Sequence, residues 1–146
     1  MTSPQTLLLK ISAAIWLVWG LLHLGHGLIV LFADLSVAGQ AIAEAAATPT
    51  MSDDYYVAMT GLFQQHGWNR VVFGIAAIVS AFYLWNGNRS AIWITAGFGG
   101  LTELGFFFLN TIPGYNNFAP SYTMLLLAAA AIVLSVWAGL GLRETQ

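Results

Sequence analysis

The chain contains no cysteine and very little charge. Without cysteine it can form no disulfide, no thiolate metal site and no thiol nucleophile. Charged residues make up 7% of the 146 residues, whereas a soluble domain has about 25%. Four lysines and arginines are too few to follow a nucleic-acid backbone. The composition therefore excludes thiol chemistry and a nucleic-acid partner, and it favours a protein surrounded largely by lipid.

Proline is absent from the long apolar stretches. These stretches cover about 7–32, 67–85, 91–109 and 122–142, and each reaches or approaches the roughly 20 residues that a helix needs to cross a bilayer. All the prolines fall outside them, at Pro4, Pro49, Pro113 and Pro120. The first stretch exceeds the roughly 7–15 residues of a signal-peptide core, which favours a retained span. The pattern predicts one all-α domain over residues 1–146, an integral membrane four-helix bundle.

Two short connections have the composition of turns. Residues 86–89, Asn-Gly-Asn-Arg, predict a tight turn and therefore an antiparallel hairpin of the second and third spans. Residues 110–121 include Pro-Gly and Asn-Asn pairs, which are typical of turns. Ser121 is then placed to cap the fourth helix.

The connection at residues 33–66 is long enough to contain short helices. Residues 40–47 are rich in alanine and predict one such helix. A second is expected to begin at Asp53, after a cap at Ser52. It either lies on the membrane surface or runs directly into the second span, with Gly61 and Gly67 as breaks.

The few basic residues indicate an orientation. Lys10, Arg89 and Arg143 all fall on one side of a four-span arrangement. The long connection has no lysine or arginine and contains acidic residues, namely Asp34, Glu44, Asp53 and Asp54. Since positive charge is enriched in cytoplasmic segments, we expect a multi-pass membrane protein with both termini cytoplasmic and the long connection outside.

Titratable side chains inside spans are costly and need a reason. They are His23 and His26 in the first span, His66 and Arg70 in the second, and Glu103 in the third. At about 1.5 Å per helical residue, all of them lie in the outer half of the bundle. Three helices therefore supply polar groups at a similar depth.

Helical spacing places these groups on three stripes. Trp19, His23 and His26 share one, His66 and Arg70 a second, and Glu103 and Phe106 a third. If each stripe faces inward, they meet in one polar site. The predicted ligand-binding residues are His23, His26, His66, Asn69, Arg70, Glu103, Trp19 and Phe106.

Several roles are compatible with such a site. An aromatic pocket with a few polar groups suits an amphipathic ligand such as a lipid or a quinone. A metal ion held by His23, His26, His66 and Glu103, or a haem between two histidines, would indicate a small membrane enzyme. An ion pair between Arg70 and Glu103 would suit a purely structural subunit. A membrane-protein partner or a homo-oligomer is compatible with each of these roles.

The layout resembles that of the DoxX-like group of small bacterial membrane proteins. The likeness spans the whole chain and consists of four spans, a long outer first connection and a tight turn at residues 86–89. No diagnostic motif is matched, so no functional residue is carried over. The resemblance implies a quinone-linked or accessory role beside a membrane oxidoreductase.

Overall fold

Long helices make up most of the described chain. The structure is a computed structural model, and it describes residues 4–35, 37–38, 53–113 and 119–141. The described part contains helices and no strand: α1 is Pro4–Phe32, α2 is Asp53–Trp85, α3 is Arg89–Phe106 and α4 is Ala119–Gly141. One π-helical turn, Phe107–Thr111, extends α3. The predicted all-α, four-helix architecture is confirmed.

Each helix includes a segment long and apolar enough to cross a membrane. These segments are Pro4–Phe32, Met59–Trp85, Arg89–Thr111 and Tyr122–Gly141. The second begins at Met59, well before residue 67, where the sequence pattern placed its start. Likewise, α4 begins at Ala119, so Ser121 lies inside the helix and is not its cap.

Two arrangements were expected for the helix that begins at Asp53. The structure shows the one in which this helix runs directly into the second span, because it continues without a break to Trp85. Neither Gly61 nor Gly67 interrupts it. The predicted helix at residues 40–47 and the cap at Ser52 lie outside the described residues, as do the Asn-Asn pair and Gly114.

The four helices are arranged in a ring in chain order. α1 packs against α2 most extensively and also against α4, and α3 packs against α2 and α4. Across the described residues, the backbones of α1 and α3 make no close approach, so these two helices lie on a diagonal. Side chains that connect α1 with α3 must therefore pass through the centre of the bundle.

Paired glycines bring α1 and α2 into backbone contact. A Cβ built on Gly27 would lie 2.7 Å from the Val71 nitrogen, and one on Gly67 would lie 2.9 Å from the Gly27 oxygen. A Cβ on Gly74 would similarly lie 2.7 Å from the Gly20 oxygen. Since the pairing runs in opposite directions along the two helices, they are antiparallel. Small residues are the usual means of such close packing in membrane helices.

A hydrogen-bonded cap forms the turn between α2 and α3. The Gly87 N–H donates to the Leu84 carbonyl at 2.9 Å, and the Asn88 N–H donates to the Tyr83 carbonyl at 2.9 Å. Gly87 has a φ of 79°, which glycine adopts readily. The Asn88 side chain then accepts from the Ser90 N–H at 3.0 Å and begins α3. The turn predicted at residues 86–89 is present.

Small side chains fill the interior while many large apolar side chains point outward. Seven buried alanines lie on the four helices: Ala13, Ala77, Ala81, Ala91, Ala128, Ala131 and Ala138. By contrast, Leu101, Phe82 and Trp137 are 72%, 69% and 68% exposed. A soluble monomer rarely exposes apolar surface on this scale. The distribution is typical of helices whose outer faces contact lipid.

Candidate functional site

Three side chains of α1 cross the centre of the bundle towards α3. Trp16, Trp19 and His23 lie three and four residues apart, so they project from one face. All three are buried, and both tryptophans are 0% exposed. The rings of Trp16 and Trp19 meet edge to face, with centroids 5.4 Å apart. This row of rings occupies the space between the diagonal helices.

Gly99 on α3 provides the space for Trp16. A Cβ at Gly99 would collide with the six-membered ring of Trp16. Phe98, the preceding residue, contacts the same indole at a centroid distance of 6.3 Å. The missing side chain at Gly99 therefore allows a full indole ring to fit between α1 and α3. One helical turn later, α3 presents Glu103 to the same row of rings.

Glu103 is the acceptor on which two α1 side chains converge. The Trp19 Nε1–H donates to Glu103 Oε1 at 2.9 Å, and His23 Nε2 lies 3.4 Å from the same oxygen. Glu103 is 5% exposed and His23 is 3% exposed. A buried carboxyl group requires such partners because its desolvation is costly.

The hydrogen bonds of His23 determine where its protons lie. His23 Nδ1 is 3.1 Å from the Trp19 carbonyl oxygen, which can only accept, so Nδ1 must carry a proton. Nε2 lies 3.4 Å from Glu103 Oε1, so the two side chains form an ion pair when His23 is protonated.

The ring of Trp19 supports His23 from one side. The two ring centroids are 3.6 Å apart with an interplanar angle of 26°. A protonated imidazole is favoured over the face of an indole by the cation–π interaction. Trp19 thus contacts His23 through its ring face and its carbonyl, and contacts Glu103 through its N–H.

Arg70 and His66 lie on α2 beside the His23–Glu103 pair, one helical turn apart. Arg70 and Glu103 attract each other electrostatically. Among the described residues, however, the basic group within 4.0 Å of Glu103 is His23. Of the alternatives considered from the sequence, the Arg70–Glu103 ion pair is thus not among the contacts shorter than 4.0 Å between described residues, and His23 lies beside Glu103 across the centre of the bundle.

Arg70 and His66 each have a buried nitrogen that is not hydrogen-bonded. In the part of the chain that the structure describes, neither Arg70 Nε nor His66 Nε2 has a hydrogen-bond partner. A buried polar group left in this state costs about 1–3 kcal/mol. Each of these two side chains therefore has a nitrogen that could form a further hydrogen bond.

The structure divides the predicted ligand-binding residues into three groups. Trp19, His23 and Glu103 converge and are buried, which agrees with their predicted proximity. Asn69 is exposed on the outer face of α2 and does not join them. The remaining four are half-buried around the convergent three, namely His26, His66, Arg70 and Phe106.

Trp16 and Gly99 also shape the site, although neither was assigned a polar contact with the ligand from the sequence. Trp16 precedes Trp19 by three residues and so shares its stripe, a signal present in the sequence. Gly99 precedes Glu103 by one turn, but its contact with an α1 indole depends on how the helices are rotated. Only the assembled bundle reveals that pairing.

The geometry does not assemble the predicted metal ligands. Within the described ranges, no group of three or more His, Asp or Glu side chains is arranged to hold a metal ion. His23 is instead engaged by Trp19 and Glu103.

A cavity of about 440 Å³ lies far from this site. It is at the end of the bundle where α1 begins and α2 turns into α3. Its lining residues are Thr6, Leu9, Leu84, Trp85, Asn86, Gly87 and Arg89. None belongs to the predicted ligand-binding residues, so the chain has polar features at both ends.

The comparisons with known proteins leave the family open. No family model, curated protein or solved structure matches the chain. The DoxX-like resemblance therefore stays a prediction.

Proposed function

We propose that the chain is a multi-pass protein of the bacterial inner membrane, with both termini cytoplasmic. The outward-facing apolar side chains and four sufficiently long helices support the membrane placement. The Lys10 ammonium lies 5.3 Å from the centroid of the Trp85 ring. Trp85 precedes Arg89 by four residues, so Lys10 and Arg89 lie at the same end of the bundle. This grouping of basic residues supports the orientation under the positive-inside rule.

Within that membrane setting, we infer a binding site for an amphipathic ligand such as a lipid or a quinone. The observation that carries the proposal is the pair of unsatisfied buried nitrogens on Arg70 and His66. A ligand headgroup with a carbonyl, hydroxyl or anionic oxygen would accept hydrogen bonds from these groups. In hydrocarbon, where water is scarce, such a contact is more favourable than leaving the nitrogens bare.

The contacts that Glu103 already makes with other residues favour a ligand-binding role for Arg70 over a purely structural one. Glu103 already interacts with Trp19 and His23. The bundle interior is thus connected across its diagonal without Arg70. A side chain that serves only to lock the bundle would be expected to use its polar atoms within the protein. Arg70 Nε, in contrast, has no hydrogen-bond partner among the described residues.

Lipid analysis of purified protein tests this proposal. We expect a specific amphipathic molecule to co-purify in detergent and to appear by mass spectrometry after extraction. Arg70→Met should reduce its yield at least about tenfold, which corresponds to about 1.4 kcal/mol of lost interaction. Asn69→Met is the matched control, since Asn69 is the adjacent polar residue but faces outward, and it should retain the ligand.

Three results would contradict the proposal. Equal recovery of the same molecule from wild type and Arg70→Met would show that Arg70 is not a ligand contact. Loss of folded Arg70→Met protein, measured by size-exclusion chromatography and circular dichroism, would assign Arg70 to bundle stability. Recovery of no specific molecule from repeated wild-type preparations would also overturn the ligand assignment.

A second candidate is a small membrane enzyme that transfers a proton to or from the ligand. The 3.4 Å contact between His23 Nε2 and Glu103 Oε1 favours it, because a histidine beside a carboxyl group is suited to general acid–base chemistry. Under this candidate Glu103→Gln would bind the co-purified molecule but leave it chemically unchanged. Conversion of the molecule by Glu103→Gln at the wild-type rate would exclude the pair from the reaction. Without any chemistry, the same site suits an accessory subunit of a membrane oxidoreductase.

A further inference from the structure

The facing sides of α2 and α3 are closed at one end of the bundle and open at the other. Each side is a stripe of residues spaced three and four apart along its helix. Near the α2–α3 turn the stripe residues are buried, namely Ala77, Ser80, Leu84, Ala91 and Thr95. In the other half of the bundle they are only half-buried, namely His66, Arg70, Phe73, Phe98, Thr102 and Gly105. We call this second set the α2–α3 seam.

The rings of Phe73 and Phe98 mark where the seam begins. They are stacked, with centroids 6.5 Å apart and an interplanar angle of 15°, and Phe73 lies near the middle of the span Met59–Trp85. Seven residues further from the turn on each helix, a distance of about 10 Å, the stripes reach His66 and Gly105. A Cβ built on Gly105 would meet no atom of another described helix within 4 Å. The seam is therefore open beside Gly105.

The end of α3 that borders the open seam packs against α4. The Phe107 ring meets the Tyr122 ring of α4 edge to face, with centroids 6.4 Å apart. The π-helical turn Phe107–Thr111 comes close to the α4 backbone, whereas between described residues it makes no such approach to α2. Leu101 and Val72, which flank the stripes, are 72% and 42% exposed. The opening is therefore directed sideways, towards the surrounding lipid.

The seam presents its polar and apolar groups in the order of a lipid molecule. Arg70 and His66 lie nearer the membrane surface, whereas the rings of Phe73 and Phe98 lie near its middle. On the α3 side, the Thr102 hydroxyl donates to the Phe98 carbonyl at 2.6 Å, so its proton is already used within the helix. A molecule in the seam thus meets polar groups at its outer end and mainly apolar surface below.

We propose that the amphipathic ligand occupies the α2–α3 seam, with its polar end at Arg70 and His66 and a hydrocarbon chain that reaches the Phe73–Phe98 pair. This inference rests on the ligand site proposed above and adds the chemical class of the ligand, a molecule with a long hydrocarbon chain. It also assigns the route of entry. The ligand enters sideways from the bilayer, between α2 and α3.

Photolabelling in vesicles tests the seam. The protein would be reconstituted in phosphatidylethanolamine vesicles that contain a phosphatidylglycerol probe with a diazirine near the end of one acyl chain. After irradiation, the labelled positions would be identified by mass spectrometry. We expect half-buried Phe73 to be labelled as strongly as Ile75, which is 50% exposed at nearly the same depth.

Filling the seam should remove the label from Phe73 and not from Ile75. In Gly105→Trp the labelling of Phe73 should fall about tenfold, the effect of a modest overpacking cost on an equilibrium. Gly105→Leu, a smaller replacement that retains the fold more readily, should change the labelling in the same direction. Gly97→Trp is the matched control, because Gly97 also has no described neighbour within 4 Å of its Cβ but lies off the seam stripe. Circular dichroism would confirm that each variant is folded.

The outcomes separate the seam from the ligand site on which it rests. An unlabelled Phe73 in wild type, or equal labelling in Gly105→Leu and Gly97→Trp, would overturn the seam. Labelling lost in the Gly105 variants but retained in Arg70→Met would support the seam and contradict Arg70 as the headgroup contact. A co-purified molecule lost in Arg70→Met, with Phe73 labelling unchanged in the Gly105 variants, would support the ligand site and overturn the seam.

Discussion

Trp19 is the residue through which the buried polar contacts are organised. Its N–H donates to Glu103, while its carbonyl and ring face both contact His23. One residue thus contacts both members of the His23–Glu103 pair. A buried charge pair is costly to assemble but also costly to break, by about 3–5 kcal/mol when one partner is removed. The geometry at this position therefore matters for both stability and chemistry.

The protonation of His23 can be measured directly. In wild type we expect ¹⁵N NMR of labelled histidine to show a proton on His23 Nδ1, because the Trp19 carbonyl requires a donor. In Glu103→Gln the carboxamide can donate to Nε2, so His23 should be neutral and protonated on Nδ1, whatever its charge in wild type. Asp34→Asn, which removes an exposed carboxyl beyond the end of α1, should leave the His23 signals unchanged. A neutral wild-type His23 protonated only on Nε2 would contradict the hydrogen bond from Nδ1 to the Trp19 carbonyl.

Between elements, the closest contact is the antiparallel packing of α1 and α2. Gly20 and Gly27 face Gly74 and Gly67, with the same spacing of seven residues on each helix. The absence of side chains at these positions lets the two backbones touch. This rigid pair presents Trp19 and His23 from one helix and Arg70 from the other towards the bundle interior. Its geometry thus determines the relative positions of the site residues.

A single methyl group should disturb that pair. In Gly27→Ala the new Cβ would lie 2.7 Å from the Val71 nitrogen, which is a backbone atom and cannot move aside. We expect a loss of about 1–3 kcal/mol in the free energy of unfolding, as in other overpacked interiors. Gly25→Ala is the matched control on the same helix, because nothing lies within 4 Å of its Cβ. The unfolding free energy of Gly25→Ala, measured in mixed detergent micelles, should not fall. Equal losses in Gly25→Ala and Gly27→Ala would argue against the glycine contact.

At the scale of the whole molecule, the two ends of the bundle differ in chemistry. The turn end has basic side chains, an interfacial tryptophan and a cavity. The opposite half contains the convergent polar residues of α1, α2 and α3. Under the proposed orientation the first faces the cytoplasm and the second faces outward.

The absence of cysteine makes that orientation easy to test. Single-cysteine variants Ser90→Cys and Asp34→Cys place one thiol at each end of the bundle, both at exposed positions. In intact spheroplasts a membrane-impermeant maleimide should label Asp34→Cys, because the positive-inside rule puts that end outside. Ser90→Cys should be labelled only after permeabilisation. The reverse pattern would show that the chain is inserted in the opposite direction.

The helices themselves follow from local properties of the chain. A run of about 20 apolar residues without proline can satisfy its backbone in lipid only as a helix, and the residues at 86–89 form a turn through their own backbone bonds. These features were therefore predictable, apart from the early start of α2, where Gly67 resembles a break but serves close packing. The presence of polar groups on the inner faces of three helices was also predictable, because helical periodicity is a local property of the chain.

Which polar groups meet was decided by tertiary packing. Helical periodicity defines the face of each helix but not its rotation or its neighbour. The contact of Gly27 with Gly67 sets the α1–α2 pair, and the space at Gly99 admits Trp16. These contacts place His23 rather than Arg70 against Glu103 and turn Asn69 outward. Such pairings depend on residues far apart in the chain, so only the folded bundle determines them. The absence of cysteine and the scarcity of charge, in contrast, are properties of the sequence alone.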